Sequence, residues 1–167
     1  MAKRTTAARV LAIDPGNENS AWVVSEGKEL VLHGLGENEA GLLDNILQGC
    51  YDDCDVMAIE MIASYGMPVG KTVFETCVWI GRFVQAWGEE FEFVYRKDVK
   101  MHLCHSMRAK DSNVRQAIID LYPPSGGGKC PQVGTKKDPG PLYGVSKDVW
   151  SALGVAITYA EAHKDIS

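Results

Sequence analysis

Apolar runs and the breaks between them divide the chain into predictable elements. Residues 8–14 read Ala-Arg-Val-Leu-Ala-Ile-Asp, a short β-branched apolar run that ends in a carboxylate and meets Pro15-Gly16. A run of this length closed by a turn predicts a buried central strand. Residues 21–25 (Ala-Trp-Val-Val-Ser) predict a second strand, Glu26-Gly27-Lys28 a hairpin turn, and residues 29–33 a third strand. The chain thus opens with three antiparallel strands, and Asp14 stands at the end of the first.

The spacing then changes. Leu42, Leu43, Ile46 and Leu47 recur as on one face of a helix, predicted over residues 37–49. Residues 55–62 (Asp-Val-Met-Ala-Ile-Glu-Met-Ile) form another apolar run, interrupted by Glu60. Reached through a helical crossover, this run reads as a strand parallel to the first. A loop with Gly66, Pro68 and Gly70 follows. Residues 71–87 predict a helix with Val73, Phe74, Cys77, Val78, Ile80, Phe83 and Val84 on its apolar side, and residues 91–95 a fifth strand. From Arg96 the chain turns basic, through Lys97, Lys100, Arg108, Lys110 and Arg115. Residues 111–122 predict a helix through Val114, Ile118, Ile119 and Leu121. Residues 123–144, rich in Gly, Pro and Lys, predict a long flexible loop. Residues 145–163 predict a last helix with Val149, Ala152, Leu153, Ala156, Ile157 and Ala160 apolar. The expected architecture is α/β: a mixed five-stranded sheet, three antiparallel strands and then parallel ones, flanked by helices.

Composition narrows the class. The chain has 167 residues, 46% hydrophobic and 23% charged, which fits one soluble domain spanning residues 1–167. Its apolar runs are too short for a transmembrane helix, so no membrane partner is expected. The basic start, residues 1–6, is followed by an apolar stretch that meets Asp14 too soon for a signal peptide, and a cytoplasmic location is expected. Five cysteines at irregular spacing predict free thiols rather than a disulfide framework. Cys104 lies between His102 and His105, but no CxxC pair supports a zinc site. A net charge of −5 argues against coating DNA through bulk charge and leaves room for a local basic face.

Three carboxylates sit in costly surroundings. Asp14 ends an apolar strand, Glu60 interrupts another, and Asp148 opens a mainly apolar helix. An ionised carboxylate in a core needs a partner. Divalent cations are one: Mg²⁺ takes oxygen ligands and retains waters, so a few carboxylates and a substrate phosphate suffice to hold it. Each acid also has an ordinary reading. Asp14-Pro15-Gly16 is a common turn, Glu60 can face solvent at a sheet edge, and Asp148 suits a helix start. The ordered combination of all three favours metal-dependent phosphodiester chemistry.

The same residues carry a family resemblance. Val-Leu-Ala-Ile-Asp14-Pro-Gly resembles the first strand of RuvC-type Holliday junction resolvases, members of the RNase H-like superfamily. Met-Ala-Ile-Glu60 resembles that family's strand-borne glutamate, and Lys-Asp148-Val-Trp-Ser-Ala-Leu-Gly-Val-Ala-Ile its C-terminal acidic helix. The order of elements is similar over roughly residues 8–163. The resemblance implies an RNase H-like fold and a crossover junction endodeoxyribonuclease. It implies Mg²⁺ or Mn²⁺ held by Asp14, Glu60, Asp148 and Ser151, and a homodimer that makes paired nicks in branched DNA, four-way junctions above all, during recombination or repair. It implies products with a 5′-phosphate and a 3′-hydroxyl. One position departs: the family's last helix carries a second metal-binding residue, usually aspartate, where this chain has Ser151. Asp111 or Asp138 is a neighbouring acid that would compensate.

Lys100 in Asp-Val-Lys and Lys110 in Ala-Lys-Asp-Ser-Asn-Val resemble the family's active-site lysines, with catalytic roles on the scissile phosphate. In the family an aromatic just after the glutamate stacks on a base; here Tyr65 stands at a shifted position. Tyr65, Lys71, Lys100, Arg108, Lys110 and Arg115 are the candidate DNA contacts, and Lys136 and Lys137 lie in the Gly/Pro-rich loop. Trp79, Phe83 and Trp87 suit core packing or a dimer contact whose two-fold symmetry would mirror that of a junction. A bacterial or phage-infected cell is the expected setting. Three rival readings stand beside this one. They are a nuclease of broader specificity for flaps and other branches, an ATP-binding domain of the actin and sugar-kinase type, and a DNA-binding scaffold with weakened catalysis. The ATP-binding domain would need a second similar half, and Ser151 keeps the scaffold open.

Overall fold

The computed structural model describes residues 7–164, so the basic start, residues 1–6, lies outside the described residues. Strands β1 (Arg9–Asp14), β2 (Asn19–Glu26) and β3 (Glu29–Glu37) form an antiparallel meander. Strands β4 (Val56–Met61) and β5 (Phe91–Tyr95) add in parallel on the other side of β1, giving the order β3-β2-β1-β4-β5. This is the mixed sheet the sequence predicts. The β2–β3 hairpin turns where expected, with Gly27 at φ 59 supplying the left-handed backbone the turn needs.

β3 runs four residues past its predicted end at His33. Gly34 and Gly36 interrupt the apolar pattern there, but in the sheet they make room for an aromatic ring. Gly34 pairs with Trp22, and a Cβ on Gly34 would lie 2.3 Å from Trp22 Cζ2.

A π-helical segment, Asn38–Leu43, runs into α1 (Asp44–Leu47). The other helices are α2 (Lys71–Trp87), α3 (Arg96–Cys104), α4 (Asp111–Asp120) and α5 (Val149–Ala162). The sequence pattern missed α3. Its inward face consists of Val99, with Leu103 and Cys104 at its last turn, and it begins directly after β5 without a turn residue. α5 begins four residues later than predicted. Lys147 adopts φ 48, a left-handed conformation that no helix continues, and Asp148 follows as the residue capping the helix start.

Side chains alternate across the sheet and divide the core in two. Val10, Ala12, Ala21, Val23, Val56 and Ala58 face α5, α4 and α3. Leu11, Ile13, Trp22, Val24, Met57 and Ile59 face α1 and α2. From α2, Ile80 and Phe83 are buried, and Trp79 and Trp87 pack on the same cluster. Phe74 and Val78, predicted on the apolar side, are instead 61% and 63% exposed. Helix α2 rests on the sheet through a narrow stripe, and the flanking apolar positions point to solvent.

Residues 123–144 form a loop, as expected, but one with more internal structure than its composition implies. Gly126 N–H donates to Pro131 O at 2.8 Å, Gly127 N–H to Asp138 O at 2.9 Å, Gly140 N–H to Val133 O at 3.0 Å and Leu142 N–H to Gln132 O at 2.9 Å. The Leu142 side chain is fully buried and fastens the loop to the α5 side of the core. Lys28 Nζ lies 3.2 Å from Glu161 Oε1, and His102 pairs with the other oxygen of the same carboxylate. This ties the hairpin, α3 and α5 together. All five cysteines are free thiols, and no helix of the described residues is long and apolar enough to cross a membrane.

Gly34→Ala should destabilise the fold by about 2 kcal/mol or more, because a buried Trp ring blocks the added methyl. Gly81→Ala, on α2 with nothing within 4 Å of its Cβ, should stabilise by about 0.5–1 kcal/mol. Urea denaturation of the two variants against the parent checks both signs.

Candidate active site

Strand alternation dictates which carboxylates meet. β1 and β4 pair in parallel with Ala12 opposite Ala58 and Ile13 opposite Ile59. Asp14 and Glu60 come one residue further along. They therefore leave the sheet on the face of Ala12 and Ala58, beneath α5, at the carboxyl ends of two adjacent parallel strands. Ligands of open α/β sheets gather at such ends. Alanines on the sheet and Ala152 and Ala156 on α5 let the helix approach closely, and this brings Asp148, at its start, to the same edge.

The turn after Asp14 is fixed by buried polar groups. Ser20 Oγ donates to Asn38 Oδ1 at 2.6 Å, Asn38 Nδ2 donates to Gly16 O at 2.8 Å, and Gly16 N–H donates to Ser20 Oγ at 3.1 Å. A Cβ at Gly16 would lie 2.2 Å from Asn19 O, so the Asp-Pro-Gly turn requires glycine at its third place.

Electrostatics show that these acids feel one another. The Asp14 carboxyl is pushed from 3.8 up to about 8, first by burial and then by the charges of Glu60 and Asp148; Asp111 adds to the shift and Arg96 opposes it. Burial also pushes Glu60 above the usual carboxylate range, with Arg96 and Lys100 opposing and Asp111 adding. Among the described residues the Asp14 side chain has no ion pair and no hydrogen bond. Glu60 has a partner, though not an acid: Arg96, the first residue of α3, lies with Nη1 3.6 Å from Glu60 Oε2 and forms an ion pair with Asp111.

Oxygen donors alone, an excess of negative charge and a buried unpaired carboxylate suit a hard divalent cation. The fit is one of donor type and charge. Among the described residues no group of three His, Cys, Asp or Glu side chains closes to metal-holding distance. Asp14, Glu60 and Asp148 are neighbours, then, but Glu60 is engaged by Arg96.

The remaining sequence candidates divide into two groups. A cleft of about 340 Å³ between α4 and α5 is lined by Arg96, Asp111, Arg115, Lys147, Asp148 and Ser151 among others. Ser151 therefore shares a wall with Asp148, and Arg115, stacked 4.9 Å over the Trp150 ring, opens onto the same space. Asp111 is there too, whereas Asp138 lies in the 123–144 loop, its carbonyl accepting from Gly127 and Thr135. Lys100 is half-buried on α3 and near enough to act on Glu60. The other group stands away from the cleft wall. Lys110 is exposed just before α4, its N–H donating to Asn113 Oδ1 at 2.9 Å. Arg108 is exposed in the preceding turn, and Tyr65 is exposed in the loop after β4. Lys71 opens α2, with its ammonium 3.5 Å from Glu75. Lys136 and Lys137 are exposed in the long loop.

Sequence reasoning assigned no role to Arg96 or Lys147. Arg96 was findable: it directly follows β5, at the same carboxyl edge of the sheet where Asp14 ends β1. Lys147 adjoins Asp148, but its left-handed backbone is visible only in the fold.

The sheet order and the helices on its two faces define the RNase H-like class of fold. Within that class the chain is similar to solved RuvC structures. It aligns with the Thermus thermophilus RuvC structure at TM-score 0.64 and 15% identity, covering 94% of this chain and 96% of that one. It aligns with T. thermophilus RuvC in complex with a Holliday junction substrate at TM-score 0.65 and 15% identity, covering 95% and 96%. Neither a protein-family model nor a curated protein matches the chain.

The raised Asp14 pKa gives a signed prediction. Below pH 3.8 this carboxyl is protonated in the folded and unfolded chains, and above about 8 it is ionised in both. Between these values the folded chain holds a proton that the unfolded one has lost, so stability falls as pH rises through this window. Asp14→Asn should therefore stabilise the chain in EDTA at pH 9, by about 1–3 kcal/mol, and give no gain at pH 3.5. Thermal melts at the two pH values test it.

Proposed function

We propose that the chain is a divalent-metal-dependent endonuclease that cuts branched DNA. Its substrate is the four-way junction, resolved by paired nicks from a homodimer in the cytoplasm of a bacterial or phage-infected cell. The observation that carries the reading is the meeting of Asp14 with Glu60 and Asp148 at the carboxyl edge of β1 and β4, in a fold like that of a RuvC solved with a Holliday junction. Asp14, Glu60 and Asp148, with the neutral hydroxyl of Ser151, are the residues that would hold Mg²⁺ or Mn²⁺. When bound, such an ion supplies Lewis acidity, making water more acidic and offsetting phosphate charge.

The chain's own residues do the rest. Lys100, beside Glu60, and Lys110, at the start of α4, orient the scissile phosphate and offset charge as it develops. Arg115 and Lys147 line the cleft that receives the neighbouring backbone. Tyr65, standing clear of the core after β4, offers a ring on which an unpaired base can stack. Lys71 and Arg108 extend the contacts along the strand. Phe74 and Val78, exposed on α2, with Leu47 of α1 beside Val78, provide an apolar face for a second copy. With a net charge of −5, selectivity rests on the shape of the branch more than on bulk attraction.

A scaffold with weakened catalysis is the second reading. It is favoured by Ser151 and by the absence, among the described residues, of a closed three-acid group.

Incubation with a synthetic four-way junction, a flap and a linear duplex, with Mg²⁺ or Mn²⁺, separates the readings. The junction should receive symmetric nicks. Asp14→Asn and Glu60→Gln should each cut at least ~10³-fold more slowly while binding the junction as the parent does. Equal cutting of all three substrates would establish broader specificity, and tight binding without cutting a scaffold. Ser151→Asp should preserve or raise the cleavage rate; its loss would assign the serine a specific role.

A further inference from the structure

Among the described residues, Arg96 is the cation that forms an ion pair with the candidate ligand set. Its position is unusual for a helix: it is the first residue of α3, where the helix dipole favours an acid over a cation. What offsets that placement is the pair of carboxylates it touches. Nη1 lies 3.6 Å from Glu60 Oε2, and the other terminal nitrogen pairs with Asp111 at the start of α4. Around it stand Asp14 and Asp148. Without Arg96, four acids would share one edge of the sheet, opposed by Lys100 beside Glu60 and by Arg115 and Lys147 on the cleft wall.

We propose that Arg96 is a resident counter-cation that competes with the divalent ion for Glu60, so that metal loading requires the guanidinium to release Glu60 while it stays anchored on Asp111. This rests on the reading of Asp14, Glu60 and Asp148 as metal ligands. The physical basis is direct. Mg²⁺ takes carboxylate oxygens as direct ligands, and one of the two oxygens Glu60 could offer, Oε2, is paired with Arg96. A dication and a guanidinium a few ångströms apart also repel strongly in a half-buried site. Arg96 is a positioning residue in this scheme. It keeps the acids together when no metal is present, and it sets the metal concentration at which they are surrendered.

The test is titration of Mn²⁺ into the full chain without DNA, by calorimetry, for the parent, Arg96→Gln and Arg96→Lys, with thermal melts in EDTA and in Mn²⁺. Arg96→Gln should bind Mn²⁺ about tenfold tighter or more. It should melt lower in EDTA, and gain more from Mn²⁺ than the parent gains. Arg96→Lys keeps the charge but loses the fork that spans two carboxylates, and should fall between the two. A residue with a merely structural role would lower the melting temperature without tightening metal binding. Unchanged or weaker Mn²⁺ affinity in Arg96→Gln overturns the proposal. If that variant does not fold in EDTA, parental affinity in Arg96→Lys overturns it instead. If the parent and both variants bind no Mn²⁺, the metal reading falls and takes this proposal with it; if the parent binds and the variants match it, only the role of Arg96 falls.

Discussion

The register between β1 and β4 is the constraint on which the site depends. Ile13 opposite Ile59 sets the next residue of each strand on the α5 side. A slip of one residue in β4 would carry Glu60 through the sheet to the α2 side and put Ile59 in its place. The two apolar clusters prevent this: Val56 and Ala58 belong to one, Met57 and Ile59 to the other, and neither set tolerates exchange. The chemistry at the edge is thus specified by hydrophobic packing several residues away.

The same geometry concentrates like charge. Asp14 and Glu161 show how far surroundings decide the behaviour of a carboxyl group. Both are taken partly from water. Asp14 has acids for neighbours and is pushed to about 8. For Glu161 burial also acts upward, but hydrogen bonds from Lys28 and His102 outweigh it and hold the group below the usual range. One carboxylate serves as a structural tie and the other is left in tension, a pattern typical of sites that await a ligand. Arg96 relieves part of that tension through Glu60 and leaves Asp14 unrelieved.

Much of this was legible in the sequence. The bounds of β5 and α2 follow from runs of apolar residues with clear breaks, and Asp14, Glu60 and Asp148 stand out because one ends, one interrupts and one opens such a run. What was not legible depends on partners distant in the chain. β3 extends through Gly34 and Gly36 because Trp22, on another strand, needs the space. α3 has too few inward residues to show a period. Phe74 and Val78 share the helical spacing of Ile80 but lie beyond the narrow stripe that the sheet covers. Arg96 reads as one more basic residue until the carboxylates of Glu60 and Asp111, 36 and 15 residues away in the numbering, are brought to it.

The loop over residues 123–144 closes on itself through main-chain groups, with Leu142 as its buried anchor. Its path is therefore indifferent to most of the side chains it displays. Lys129, Lys136 and Lys137 are exposed, and among the described residues none of them forms a side-chain hydrogen bond or ion pair that the loop depends on. The surface potential on that flank of the molecule can drift under selection independently of the sheet and its acids.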